Sequence, residues 1–226
     1  MQLRVLDGDE ASALRGGVAV VVDVMRAFTV AAWALHLGAV ELLLVDDIEE
    51  AVGQASTIPG SLLFKDGAPD HRFDLHNSPR QLLDLDVRDR VIVQRTTAGT
   101  RAAVAARRAD LLLCASFVCA SATARVLQEL GRDDVSFVVS GGHGADEDLA
   151  CAELIGARVD EVDVSAERFI ERAAVSEAAR DLAEGVARGY AGVTSEDVPM
   201  CLEVDRFDFA MQAIEGRRGL TLRLHR

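Results

Sequence analysis

Short, continuous apolar runs alternate with Ala-rich stretches over the first 160 residues of this chain. The runs Val18 to Val24, Val40 to Val45, Leu62 to Lys65, Val91 to Gln94, Leu111 to Cys114 and Val135 to Val139 predict strands. Between them, Thr29 to Leu37, Ile48 to Ala55, Gly99 to Arg107, Val118 to Leu130 and Glu147 to Ala157 predict helices. Strands that are apolar throughout, without alternation, are buried on both faces, so helices must cover both sides of the sheet. The expected architecture is a three-layer α/β/α sandwich with a largely parallel or mixed central sheet.

Beyond Asp160 the pattern changes. Ser165 is a suitable N-cap for a long helix running to about Arg188, because its hydroxyl can satisfy a free amide of the first turn. Ala210 to Glu215 and Leu220 to Leu224 flank Gly216-Arg217-Arg218-Gly219, which predicts a β-hairpin. No low-complexity linker interrupts the chain. A single domain over 1–226 is expected, with a core of 1–160 and a C-terminal helix plus hairpin over 161–226.

Composition narrows the function classes. With 24 basic against 37 acidic residues the net charge is −13, which disfavours nucleic acid as a partner, since phosphates need a basic face. The longest apolar runs fall far short of the roughly 20 residues of a membrane span. The opening Met1-Gln2-Leu3-Arg4 lacks a secretory layout, so a cytoplasmic location away from membranes is the expectation. Cys114, Cys119, Cys151 and Cys201 show neither CxxC pairing nor metal-ligand spacing, and are expected as free buried thiols.

Ligands in α/β sheets collect where strands end and helices begin. Asp23 closes an apolar strand and Arg26 follows it, which reads either as a ligand site or as a structural ion pair between the two. At the next such junction Arg95, Thr96, Thr97, Gly99 and Thr100 suit an anion cradle, or simply a Thr-rich helix cap. Gly141-Gly142-His143-Gly144 precedes Glu147 and Asp148, which are either ligands or partners of a helix dipole, and His143 is a candidate acid or base. In Phe73-Asp74-Leu75-His76-Asn77-Ser78-Pro79, Ser78 and Pro79 make a helix start, while Asp74 and Asn77 serve a turn or offer hard oxygen ligands of the kind Mg2+ prefers.

Taken in order, these segments resemble the 2-phosphosulfolactate phosphatase family. Asp23-Val24-Met25-Arg26-Ala27-Phe28-Thr29 is similar to its D-V-x-R-A-x-T block, and Phe73 to Pro79 to its F-D-x-x-N-S-P block. Thr96-Thr97-Ala98-Gly99-Thr100-Arg101, Glu147-Asp148 with Cys151-Ala152, and Cys201 to Asp208 correspond to three further blocks. The resemblance implies a magnesium-dependent phosphoric monoester hydrolase acting on a small, doubly anionic phosphorylated substrate. The family's substrate is 2-phosphosulfolactate, converted to sulfolactate and phosphate in coenzyme M synthesis. It implies catalytic roles for Asp23, Arg26 and Asp148. Substrate contacts would come from Thr29, Asn77, Ser78, Arg95, Thr96, Thr97, Gly99, Thr100, Gly141 and Gly142. Asp23, Asp74, Glu147 and Asp148 would hold Mg2+. The resemblance also suggests a homodimer, for which the tail hairpin offers an edge strand.

The chain departs from the family pattern where Leu63-Phe64-Lys65-Asp66-Gly67 replaces a frequent Gly-Glu-Arg, where Ala98 replaces an asparagine and where His76 replaces a glycine. Two other readings follow: a non-catalytic anion-binding homologue, and a haloacid-dehalogenase-type phosphatase. The second expects an aspartate two residues after the first, where this chain has Met25.

Overall fold

A computed structural model describes residues 4–131, 134–161 and 163–225, without the side chain of His143. All six strands expected in the first 160 residues form: β2 (Val18–Val22), β3 (Glu41–Val45), β4 (Leu62–Lys65), β5 (Val91–Arg95), β6 (Leu111–Ala115) and β7 (Val135–Val139). The unpredicted β1 (Arg4–Asp7) precedes them; it is half exposed and carries charge at both ends, so no apolar run marks it. The tail supplies β8 (Met211–Gly216) and β9 (Gly219–Leu224).

The nine strands form one mixed sheet in the order β1-β7-β2-β6-β8-β9-β3-β5-β4. The hairpin therefore lies inside the sheet, with β8 antiparallel to β6 and β9 antiparallel to β3. This corrects the expectation of a free edge strand in the tail: the edges are β1 and β4. Glu41, buried at the start of β3, helps hold the insertion through ion pairs to Arg218 and Arg223 of the hairpin.

Three successive antiparallel pairings make β3, β5 and β4 run opposite to β1, β7, β2 and β6. In a flat sheet the C-terminal ends of the two sets would lie apart. Twist of roughly 20–25° per strand accumulates across nine strands and lets them converge. The convergence is direct: Gly99, beyond β5, packs against Asp23, beyond β2, and Gln94 Nε2 donates to the Ala27 carbonyl at 3.1 Å.

The helices are α1 (Ala27–His36), α2 (Ile48–Ser56), α3 (Pro79–Leu82), α4 (Gly99–Ala105), α5 (Ala120–Leu130), α6 (Asp146–Asp160), α7 (Glu167–Ala174), α8 (Glu177–Ala187) and α9 (Asp197–Cys201). α1 is buried from Ala27 to Leu35, which explains its lack of a polar face. α2 packs Ala51 against Leu43, Val45, Leu63 and Val93 on the β3-β5-β4 half. The helix expected over 165–188 is two helices. Ser176 leaves helical geometry and caps α8, accepting the Ala179 amide at 3.2 Å, so a serine that reads as mid-helix is a second start. All four cysteines are free and buried, as expected. Among the described residues, no helix is long and apolar enough to cross a membrane.

Candidate active site

Asp23 leaves the end of β2 into the cleft between the two strand sets and is 6% exposed. Its Oδ1 accepts the Ala27 amide at 2.8 Å, and its Oδ2 accepts the Ser140 hydroxyl at 3.0 Å. Asp148, in the first turn of α6, accepts the Val24 amide at 2.7 Å, so α6 is tied to the Asp23 loop. Its Oδ2 lies 3.1 Å from the same Ser140 hydroxyl. Two buried carboxylates thus meet one hydroxyl, which has a single proton to give. Burial pushes the Asp23 carboxyl up to about 6, against the pull of its bonds to Ala27 and Ser140. Burial, reinforced by the charges of Asp23 and Glu147, raises Asp148 well above the ordinary carboxyl range. Burial also raises Glu147, whose Oε2 is enclosed without a hydrogen-bond partner.

Gly99 closes the other side of the pair. A Cβ there would stand 2.5 Å from Asp23 Oδ2 and 2.8 Å from the Ala27 methyl, closer than real atoms approach. Gly99→Ala is therefore expected to cost about 1–3 kcal/mol of stability by overpacking and to cut activity at least about tenfold. Unchanged melting and turnover would refute this contact.

The Arg95–Thr100 segment is built, but most of its donors are spent. Thr96 and Thr100 satisfy each other: the Thr96 amide donates to Thr100 Oγ1 at 2.7 Å and the Thr100 amide to Thr96 Oγ1 at 3.0 Å. Asp66, beyond β4, takes the Thr97 amide at 2.7 Å and the Thr97 hydroxyl at 3.0 Å, and lies 3.5 Å from Arg95 Nη1. The expected anion cradle holds an internal anion. Asp66 is also near enough to Asp23 to push its pKa upward.

The structural alternative, an ion pair between Arg26 and Asp23, does not form. Arg26 Nη1 donates to Asp197 at 2.9 Å and to the Gly192 carbonyl at 2.7 Å, and the residue is 8% exposed. Asp197 also accepts from Ser78 Oγ, the Arg80 amide, and the amide and hydroxyl of Thr194. Arg26 and Gly192, with His76 and Tyr190, line a cavity of about 460 Å³.

The remaining expected site residues divide. Gly141 joins the pair, its amide 3.4 Å from Asp148 Oδ2, and Gly142 opens the short 3-10 turn after it. Asn77 is buried with its Oδ1 accepting Gln94 Nε2 at 3.2 Å, and Ser78 caps α3 while bonding Asp197. Thr29 spends its hydroxyl on the Val24 carbonyl. Asp74 is not brought to the pair: it is exposed and its carboxylate accepts the Leu63 amide at 2.8 Å in mid-strand. The role considered for His143 falls on a side chain outside the described atoms. Ser140 and Asp197 carried no site expectation. Ser140 had a sequence signal, a hydroxyl closing an apolar strand, whereas Asp197 had none.

Among the described residues, no cluster of three carboxylate, histidine or cysteine side chains forms a closed metal cage. The Asp23–Asp148 pair nonetheless fits a magnesium ion, which commonly takes one or two carboxylates and completes its shell with water and substrate phosphate. Two buried carboxylates sharing one hydroxyl proton have the excess of negative charge that a divalent cation offsets.

Residues 6–216 match the family model described as 2-phosphosulpholactate phosphatase. The chain belongs to the 2-phosphosulfolactate phosphatase family. That makes it a member of a family of phosphoric monoester hydrolases. It is 32% identical over 216 residues to a probable 2-phosphosulfolactate phosphatase of Bacillus subtilis, covering 94% of this chain and 93% of the relative. A Thermus thermophilus protein with the same description is 34% identical over 226 residues, covering 91% of each. A third, from Thermoplasma acidophilum, is 28% identical over 219 residues. The family match spans both halves of the sheet, so the Asp23–Ser140–Asp148 cluster and the Asp66–Thr97 contact both lie within it.

Proposed function

We propose that this protein hydrolyses a small, multiply anionic phosphomonoester, 2-phosphosulfolactate or a close analogue, with Mg2+ held by Asp23 and Asp148. The observation that carries the proposal is the pair of buried carboxylates set against one hydroxyl proton. A site of this kind is costly to keep ionised without a cation and useful with one. Bound there, Mg2+ supplies charge neutralisation for the transferring phosphoryl group.

The protein's own groups do the rest. Ser140 donates to a carboxylate and holds the β7–α6 loop onto β2, while Gly99 gives α4 close access to Asp23. Arg26, three residues beyond Asp23, is fixed by Asp197 on the wall of the cavity it shares with Gly192 and His76.

The test is phosphate release from 2-phosphosulfolactate and other small phosphomonoesters by the purified protein. Turnover is expected with Mg2+, a loss of at least about 100-fold with chelator, and recovery on adding Mg2+ back. Absence of phosphate release with Mg2+, together with thermal stabilisation by the same esters, would overturn hydrolysis in favour of a binding homologue.

A further inference from the structure

The cations that the sequence offers as anion receptors are already engaged. Arg95 faces Asp66 and donates to the Asp46 carbonyl, and Arg26 is held by Asp197. A substrate carrying a second acid besides its phosphate must find another positive group near the carboxylate pair, within a protein of net charge −13.

One cavity meets that need. Ser140, whose hydroxyl joins Asp23 and Asp148, lines a space of about 530 Å³ with Thr97, Ala98, Arg101, Arg107 and Arg108. None of these three arginine side chains makes a hydrogen bond or ion pair to another described residue, although Asp9 and Asp46 border the same cavity. Position separates the three. Arg101 lies in the first turn of α4, two residues beyond Gly99, which touches Asp23. Long helical side chains lean toward their helix N-terminus, and at that end of α4 Arg101 shares the cavity wall with Thr97, Ala98 and Ser140. Arg107 and Arg108 follow the end of α4, roughly 10 Å further along its axis at 1.5 Å per residue. Of the three, Arg101 is therefore the one nearest along α4 to Gly99 and to the carboxylate that Gly99 packs against.

We propose that Arg101 receives one of the acid groups of the substrate that are not hydrolysed, the carboxylate on the ester carbon or the sulfonate on the carbon next to it. This assignment rests on the phosphatase reading and makes Arg101 a specificity-determining residue. A guanidinium fork matches either oxyanion with two parallel N–H bonds. In this role it acts on ground-state and transition-state binding alike, so its loss acts on KM more than on kcat.

The experiment compares wild type, Arg101→Gln and Arg101→Lys with Mg2+ on 2-phosphosulfolactate and on phenyl phosphate, which has no second acid. Arg101→Gln is expected to raise KM for 2-phosphosulfolactate by about 10- to 100-fold, the range for losing a charge-assisted bond, with kcat changed far less. Its kcat/KM on phenyl phosphate is expected to match wild type. Arg101→Lys is expected to recover part of the loss, because it keeps the charge but not the fork. An equal loss on both substrates would place Arg101 on the phosphoryl group and overturn the proposal, as would no loss on either. A second arm needs no turnover: thermal stabilisation by sulfoacetate, read for wild type and Arg101→Gln. Stabilisation of wild type alone keeps the anion site even if neither ester is hydrolysed and the phosphatase reading fails. Equal stabilisation of both proteins overturns it.

Discussion

Asp23→Asn is expected to abolish phosphate release and, in the same protein, to raise the melting temperature of the metal-free form at pH 7. The second half follows from proton accounting at Ser140. In the wild type, Asp23 Oδ2 and Asp148 Oδ2 both need the one hydroxyl hydrogen. An amide at position 23 keeps Oδ1 for the Ala27 amide and turns the second atom into a donor to Ser140 Oγ. The hydroxyl is then free to serve Asp148, and the conflict is gone.

The sign of the pH dependence is fixed by the same groups. A carboxyl raised from 3.8 to about 6 binds its proton more tightly in the folded state than in the unfolded one. The folded state therefore holds more protons between those values, and its stability falls as pH rises through them. Asp148, raised in the same direction, extends the loss. At about 1.4 kcal/mol per pH unit, the Asp23 contribution amounts to roughly 3 kcal/mol by neutral pH. Asp23→Asn is expected to recover that amount at pH 7, some 5–10 °C in melting temperature, and almost none of it at pH 4. Mg2+ is expected to stabilise the wild type and not the variant. Melting curves at both pH values, with chelator and with Mg2+, decide the matter. Lower stability of the metal-free variant at pH 7 would show that the pair is not electrostatically loaded, and retained turnover would remove Asp23 from the catalytic set. On the proposed function, a carboxylate pair that costs stability is the usual trade between activity and folding.

Local and non-local features of this fold were unequally legible. The six buried strands could be read directly because apolar residues on both faces leave no ambiguity of period. Asp23 stood out as a carboxylate at the end of five successive buried residues, Val18 to Val22. Ser78 was recognisable as an N-cap because capping is settled within four residues, from Ser78 to Gln81. What could not be read depends on pairing across the chain. Whether a C-terminal hairpin ends a sheet or divides it depends on the partners of β8 and β9, roughly 100 and 180 residues away along the chain. The free state of Arg95 likewise depends on Asp66, which reaches it only once β4 and β5 are side by side. A residue type can announce that it needs a partner. It cannot announce which partner the fold supplies, and Arg26 illustrates the point: its acid comes from 171 residues away, not three.

That distant acid carries the largest stability effect expected of any single change. Asp197 is fully buried and accepts five hydrogen bonds, joining Arg26 of the β2–α1 loop, Ser78 and Arg80 of α3, and Thr194 just before α9. Asp197→Ala leaves the Arg26 guanidinium buried without a counter-charge, a change that typically costs about 3–5 kcal/mol. For a domain of this size that is roughly 10 °C or more in melting temperature. Asp197→Asn keeps an acceptor for Ser78 and Thr194 but not the charge, and is expected to fall between the two. Pairing Asp197→Leu with Arg26→Met removes both charges at once. It is expected to regain part of the stability and none of the phosphatase activity, because the hydrogen-bond partners at 78 and 194 stay orphaned while the site loses its buried cation. Urea unfolding of the single and double variants measures the coupling between the two side chains. A coupling near zero, or an Asp197→Ala variant within about 1 kcal/mol of wild type, would show that Arg26 is held in the cleft by something other than this aspartate.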